Sequence, residues 1–175
     1  MEKPTVQATV VFLVNTEGRI GLAQKKQAIH HDKGEISYSL GLYNGWGGKQ
    51  EVTDPTILDT AVRELFDESG VIAKKEDLEP VFRAYFYTKN KEGEGFLPFM
   101  DVSFYFLRTW QGTPAEGKEM GPAVFFEQEN LPYDQMMPAD KYLIEQALLG
   151  VRGVFEVKLH GKTTPPDIRL LDEML

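Results

Sequence analysis

Cysteine is missing altogether from this chain of 175 residues. That excludes disulfides, thiolate metal sites and cysteine nucleophiles. Histidine is scarce, with three in all, and two of them, His30 and His31, are neighbours in sequence. Adjacent side chains point apart on most backbones and no third ligand accompanies them, so they read as part of a solvated loop. No apolar run approaches the ~20 residues that a membrane helix needs. A basic-then-apolar leader is also lacking, so a cytoplasmic location is expected. Cations are outnumbered, 19 Lys and Arg against 27 Asp and Glu, for a formal net charge of −8. Such a surface is poorly suited to a nucleic-acid polymer, where cationic patches dominate affinity. A small phosphorylated ligand still binds where a metal ion neutralises it locally.

What is present is ordinary globular composition, 42% apolar and 26% charged. The length fits one domain, 1–175, with a sizeable core. The chain is organised around Tyr43 to Val71, a glycine-rich turn followed by a helix. Asp54 before Pro55 reads as an N-cap with proline in the first helical position, and Ser69-Gly70 reads as the stop. Leu58, Ala61, Val62 and Leu65 fall at i, i+3, i+4 and i+7 and form one apolar stripe. Glu64 and Glu68, four apart, share a different face with Asp67 beside them. Like charges at that spacing weaken a helix unless something positive lies between them. A hard divalent cation fits, since Mg²⁺ takes one or two carboxylates, some water and substrate phosphates.

Around this stretch, Thr5 to Val14 and Arg19 to Gln24 read as a hairpin joined at Asn15-Thr16-Glu17-Gly18. Lys25 to Leu40 reads as a loop. Strands are expected at Leu78 to Lys89 and Met100 to Thr109, then a short apolar run at Ala123 to Phe126. A second helix is expected from Pro138-Ala139-Asp140 to about Leu149, burying Leu143, Ile144, Ala147 and Leu148. A last strand, Val154 to His160, is closed off by Pro165-Pro166. The order ββ-loop-α-β-β-β-α-β supports an α/β or α+β fold with a mixed sheet between helices.

Gly48, Asp54 and the run Arg63-Glu64-Leu65-Phe66-Asp67-Glu68-Ser69-Gly70-Val71 resemble the Nudix box, G-x5-E-x7-R-E-U-x-E-E-x-G-U with U aliphatic. The first acidic residue is Asp54, followed by one extra position, and Asp67 stands where the box has Glu. Further stretches, Tyr43 to Lys49, Met100-Asp101-Val102, Gln111 to Pro114, Glu119-Met120, Leu131 to Asp140 and Gly153 to Val157, are similar to the MutT-homologue branch of that family, hydrolases of oxidised purine nucleoside triphosphates. The chain carries an insertion within Gln27 to Tyr38.

The resemblance implies a Nudix α/β/α sandwich and Mg²⁺-dependent hydrolysis to the monophosphate and pyrophosphate, with Mn²⁺ as a substitute ion. Glu64, Glu68, Asp67, Glu119 and the Gly47 carbonyl would hold the metal, and Glu64, Glu68 and Glu119 carry the candidate catalytic roles. Arg63 would orient carboxylates. Substrate contacts would fall to Thr9, Lys25, Asn44, Trp46, Gly48, Lys49, Met100, Met120, Met137 and Asp140, with Tyr38 or Phe86 as further walls. The branch has an aromatic residue where this chain has Met137, and an acid where it has Ala139. Other nucleoside diphosphate derivatives, such as dGTP, ADP-ribose or a nucleotide sugar, and a non-catalytic nucleotide-binding module are the alternatives.

Overall fold

The computed structural model describes residues 1–26, 39–90, 93–161 and 164–173. The expected loop from Lys25 to Leu40, its insertion, both adjacent histidines and Tyr38 therefore lie largely or wholly outside the described residues.

Among the described residues, eight strands form one mixed sheet: β1 (Gln7–Val14), β2 (Ile20–Gln24), β3 (Tyr43–Asn44), β4 (Leu78–Lys89), β5 (Phe96–Leu107), β6 (Val124–Phe126), β7 (Gly153–Leu159) and β8 (Asp167–Glu173). The order across the sheet is β3-β2-β1-β5-β4-β7-β8, with β6 paired to β2. β1 runs parallel to β5, and β4 parallel to β7, while the other pairs are antiparallel. Parallel neighbours need crossovers, and the first of these contains helix α1 (Ile57–Ser69). The second contains helix α2 (Asp140–Leu148).

Side-chain alternation along the central strands makes two cores. Phe12, Phe82, Phe104 and Phe155 pack with Leu143, Ile144 and Ala147 of α2. Val11, Leu13, Tyr105 and Leu107 instead pack with Ala61 and Leu65 of α1. Because residues 104 and 106 serve one cluster and 105 and 107 the other, the two helices cover opposite faces of the sheet. The apolar stripe expected on α1 is the one that is buried: Ala61 and Leu65 fully, Leu58 and Val62 in part. Among the described residues no helix is long and apolar enough to cross a membrane.

Three expectations change. The N-cap of α1 is Thr56, whose hydroxyl oxygen accepts from the Asp59 amide, so the helix starts later than Asp54-Pro55 suggests. Asp54 is drawn away by a stronger partner, Arg63. Strand β5 begins at Phe96 and so runs through Pro98; an irregularity in the register between Phe86 and Tyr87 lets the strand accept a residue without an N–H. Past Pro165-Pro166 the chain returns as β8, antiparallel to β7. This edge strand is almost wholly exposed, so it carries no apolar alternation from which to infer it.

Candidate active site

The glycine-rich turn is held against β1 as an irregular extra strand. Val11 and Trp46 exchange both backbone hydrogen bonds, at 2.7 and 3.0 Å, and the Thr9 amide donates to the Gly48 carbonyl at 2.9 Å. A Cβ on Gly47 would sit 2.0 Å from the Thr9 carbonyl oxygen. A Cβ on Gly48 would sit 2.5 Å from Oε1 of Glu64. The first glycine is thus required by the backbone and the second by a carboxylate that lies against its bare Cα.

Helix α1 delivers its acids to this turn. Oε2 of Glu68 accepts the Gly47 amide at 2.9 Å, and Oε1 lies 3.3 Å from Nζ of Lys25. Lys25 also reaches Oε2 of Glu119, at 3.2 Å. Glu119 arrives from the loop after β5, which docks on the end of α1. There Ala115 donates to the Ser69 carbonyl at 2.9 Å, and Gly117 passes so close that a Cβ would lie 2.6 Å from the Glu68 carbonyl. Burial pushes the Glu68 carboxyl up to about 7, with Lys25 and the Gly47 amide opposing. Burial likewise raises Glu64, partly offset by Arg63. Burial alone would lower Lys25, but Glu68 and Glu119 outweigh it and hold the ammonium above its ordinary value.

Arg63 ties the flank together. It forms a bidentate pair with Asp54, at 2.9 and 2.8 Å, donates to Oε1 of Glu64 at 3.0 Å and to the Lys49 carbonyl at 3.3 Å. Asp54 also accepts from the Thr60 hydroxyl and the Glu51 amide. This guanidinium holds the Asp54 carboxyl well below the usual carboxylate range. Such planar two-point pairing fixes direction as well as charge, so Arg63 orients Glu64 while anchoring the loop from 49 to 54. Asp67 goes elsewhere: its carboxylate is 56% exposed and lies 3.6 Å from Arg63.

Among the described residues no three carboxylate or imidazole side chains are already grouped around one metal position. The four-acid set expected from sequence is not preassembled, because Arg63 holds Glu64 and Asp67 is turned to solvent. Two acids do converge on one cation, however: Glu68 and Glu119 meet at the Lys25 ammonium. Mg²⁺ requires no more than one or two carboxylates with water and phosphate oxygens, so the donor set suits a hard divalent ion.

The other expected contacts divide between the two faces. Met100 and Phe86 are register partners on β5 and β4 and pack partly buried against the core under α2. Asp140, 7% exposed, starts α2 and accepts the Met137 amide at 2.9 Å. Asn44 ends β3 and accepts the Gly45 amide at 2.8 Å. Lys49 is exposed on the turn.

Trp46 and Met120 do not fit as ligand walls. They are 0% and 1% exposed and belong to the cluster under α1, opposite Met100. Trp46 contributes its backbone, and its ring is core. Alternation sends Thr9 to that same α1 side with Val11 and Leu13, away from Met100. Its hydroxyl is buried without a hydrogen-bond partner among the described residues, as is the Trp46 indole nitrogen.

Sequence reasoning missed the Lys25 bridge. It also missed the docking of the Glu119 loop, although Gly117, two residues before Glu119, was a signal for close backbone approach.

A family model described as the NUDIX domain matches residues 3–147. A Danio rerio protein named oxidized purine nucleoside triphosphate hydrolase is 32% identical over 136 residues, 78% of this chain and 76% of the relative. The Mus musculus protein of the same name is 31% identical over 138 residues, 79% and 77% of the two chains. In structure, the chain is similar to a MutT protein from Bacillus halodurans, with a TM-score of 0.64 at 17% identity. That likeness covers 93% of this chain and 97% of the other.

Proposed function

The chain belongs to the Nudix family as a Nudix hydrolase, and from that premise we propose that it cleaves purine nucleoside triphosphates to the monophosphate and pyrophosphate. The observation that carries this reading is the meeting of Glu68 and Glu119 at one cation position, beside the glycine turn whose Gly47 amide donates to Glu68. The purine class is taken from what the two relatives are named for.

Glu68 and Glu119, with the Gly47 carbonyl, would hold a divalent cation, Mg²⁺ or Mn²⁺. When bound, such an ion neutralises phosphate charge and lowers the pKa of a coordinated water. Arg63 holds Glu64 through one carboxylate oxygen, and the other oxygen accepts a proton from the attacking water. Lys49, exposed on the turn, meets the phosphate chain. The buried Glu68 carboxylate keeps its direction through the Gly47 amide, so an oxygen for the cation would be in place before the phosphoryl group moves.

Asn44 and Asp140 read the purine edge, and Met100, Phe86 and Met137 supply apolar cover. Met137 gives no rigid aromatic plane and Ala139 gives no hydrogen bond. A pocket that hydrogen-bonds a group rejects analogues lacking it, whereas an apolar, adaptable one discriminates weakly. Oxidised and ordinary guanine nucleotides are therefore used with similar efficiency. The test is the ratio of kcat/KM for 8-oxo-dGTP over dGTP, in wild type and in the Met137→Trp, Ala139→Asp double variant. The expected ratio is within about tenfold of one, equivalent to ~1.4 kcal/mol, and rises in the double variant. A strong wild-type preference for the oxidised base, or no rise in the variant, contradicts the assignment of this pocket.

A further inference from the structure

We propose that Lys25 is the resident counter-ion of the candidate metal site, whose ammonium competes with the divalent cation for Glu68 and Glu119. This inference rests on the metal-site reading above and adds a role to a residue otherwise expected only to touch substrate.

Lys25 has a fixed backbone and a loosely held head. Its amide donates to the Leu42 carbonyl at 3.0 Å, its carbonyl accepts from Gly41 at 2.7 Å, and the next amide, of Lys26, donates to the Glu119 carbonyl at 2.7 Å. Lys25 and Met120 also form an isolated antiparallel bridge. The stem is thus clamped between the 39–42 turn and the segment that carries Glu119. The side chain is 19% exposed and lies beside a Glu68 carboxylate that is 4% exposed. Yet the two contacts, 3.3 and 3.2 Å, exceed the roughly 2.7–2.9 Å of a tight ammonium–carboxylate pair. One ammonium is shared between two carboxylates and is optimal for neither.

A divalent ion draws on the same oxygens at about 2.0–2.1 Å. The ammonium cannot stay within hydrogen-bonding distance of those oxygens without lying a few ångströms from a double positive charge. Lys25 therefore swings outward as the ion enters. Its stem is four methylenes long, so the displaced ammonium reaches the phosphate chain proposed to bind beside the ion. Two consequences follow. The ion alone binds weakly because it must first displace a charge, and the phosphate chain strengthens ion binding by giving that charge a new partner.

The experiment is Mn²⁺ titration by electron paramagnetic resonance on the full chain without nucleotide, for wild type, Lys25→Met, Lys26→Met and Glu68→Gln, with near-ultraviolet circular dichroism as the check on folding. Lys26 is the matched control: it carries the same charge one residue away, but pairs with the exposed Glu116 at 2.6 Å. Lys25→Met should bind Mn²⁺ about tenfold more tightly than wild type, the order expected when a unit charge a few ångströms from a divalent ion is removed in a water-accessible site. Lys26→Met should stay within about twofold of wild type. Unchanged or weaker binding by a folded Lys25→Met, or an equal gain in Lys26→Met, overturns the proposal.

A second measurement needs no variant. Acylation of wild-type lysines, read by mass spectrometry, should speed up at Lys25 on saturation with Mg²⁺ and stay constant at Lys26. Unchanged or slower acylation of Lys25 also overturns the proposal. Mn²⁺ binding in wild type that is lost in Glu68→Gln upholds the metal site whatever Lys25 does. If wild type binds no Mn²⁺, the site reading falls and the counter-ion falls with it.

Discussion

Asp140 is 7% exposed at the start of α2, and the Met137 amide donates to its carboxylate. Burial pushes its carboxyl from an ordinary 3.8 up to about 7, which that single amide only partly opposes. Between those two values the folded protein holds the proton and the unfolded chain does not, so this group's contribution to stability falls as pH rises through the window. Asparagine keeps the acceptor for Met137 and has no charge to bury. The difference in Tm between Asp140→Asn and wild type should therefore shift in favour of the variant from pH 5 to pH 8. Thermal melts of both proteins across that range check it, and a constant difference contradicts the assignment. Arg63 shows the opposite electrostatic case. It sits among Asp54, Glu64 and Asp67, and its bidentate hold keeps Asp54 ionised through the neutral range.

At the scale of elements, the glycine turn and α1 act as one unit, and its two central glycines do different work. Alanine at 47 would place a methyl 2.0 Å from a backbone carbonyl of β1, which only a movement of the turn can relieve. Alanine at 48 would meet the Glu64 carboxylate, the far end of a side chain. Gly48→Ala should keep its Tm within a few degrees of wild type and lose about tenfold or more in kcat, as Glu64 is pushed aside. Gly47→Ala should lose several degrees in Tm. Parallel melts and kinetics separate the two, and a reversed pattern contradicts the geometry. These contacts also explain what could be read from the sequence. The stripe Leu58, Ala61, Val62, Leu65 and the stop at Gly70, whose φ is +73°, were legible because periodicity and chirality are local. Strand β4 was legible as well, from Leu78 to Lys89. The cap at Thr56 was not, because Asp54 is the better capping residue until Arg63, nine residues on, takes its carboxylate. Strand β8 was illegible because its face is solvent, and the burial of Trp46 because long-range packing decides it. Lys25, Glu68 and Glu119 are separated by 43 and 51 residues, so no local pattern announces their meeting.

On the scale of the whole molecule, the sheet separates two tasks. The face under α1 carries the acids, the glycine turn and Lys25, and the face under α2 carries Met100 and Phe86, with Asp140 at the start of α2. Phosphate chemistry and base recognition are thus proposed for opposite sides of β1 and β5, joined at the turn from Tyr43 to Lys49. A net charge of −8 repels a polyanion at long range, which the cation proposed for the site would offset locally. The central claim is that these acids support divalent-ion-dependent cleavage between the α- and β-phosphates of a purine nucleoside triphosphate. Separation of the products formed from dGTP by wild type and Glu68→Gln, each with Mg²⁺ or with a chelator, tests it most directly. The account predicts dGMP and pyrophosphate in equal amounts from wild type with Mg²⁺, none with the chelator, and at least about a hundredfold less from Glu68→Gln. Release of dGDP and orthophosphate, or turnover that survives the chelator or the Glu68 substitution, would contradict it.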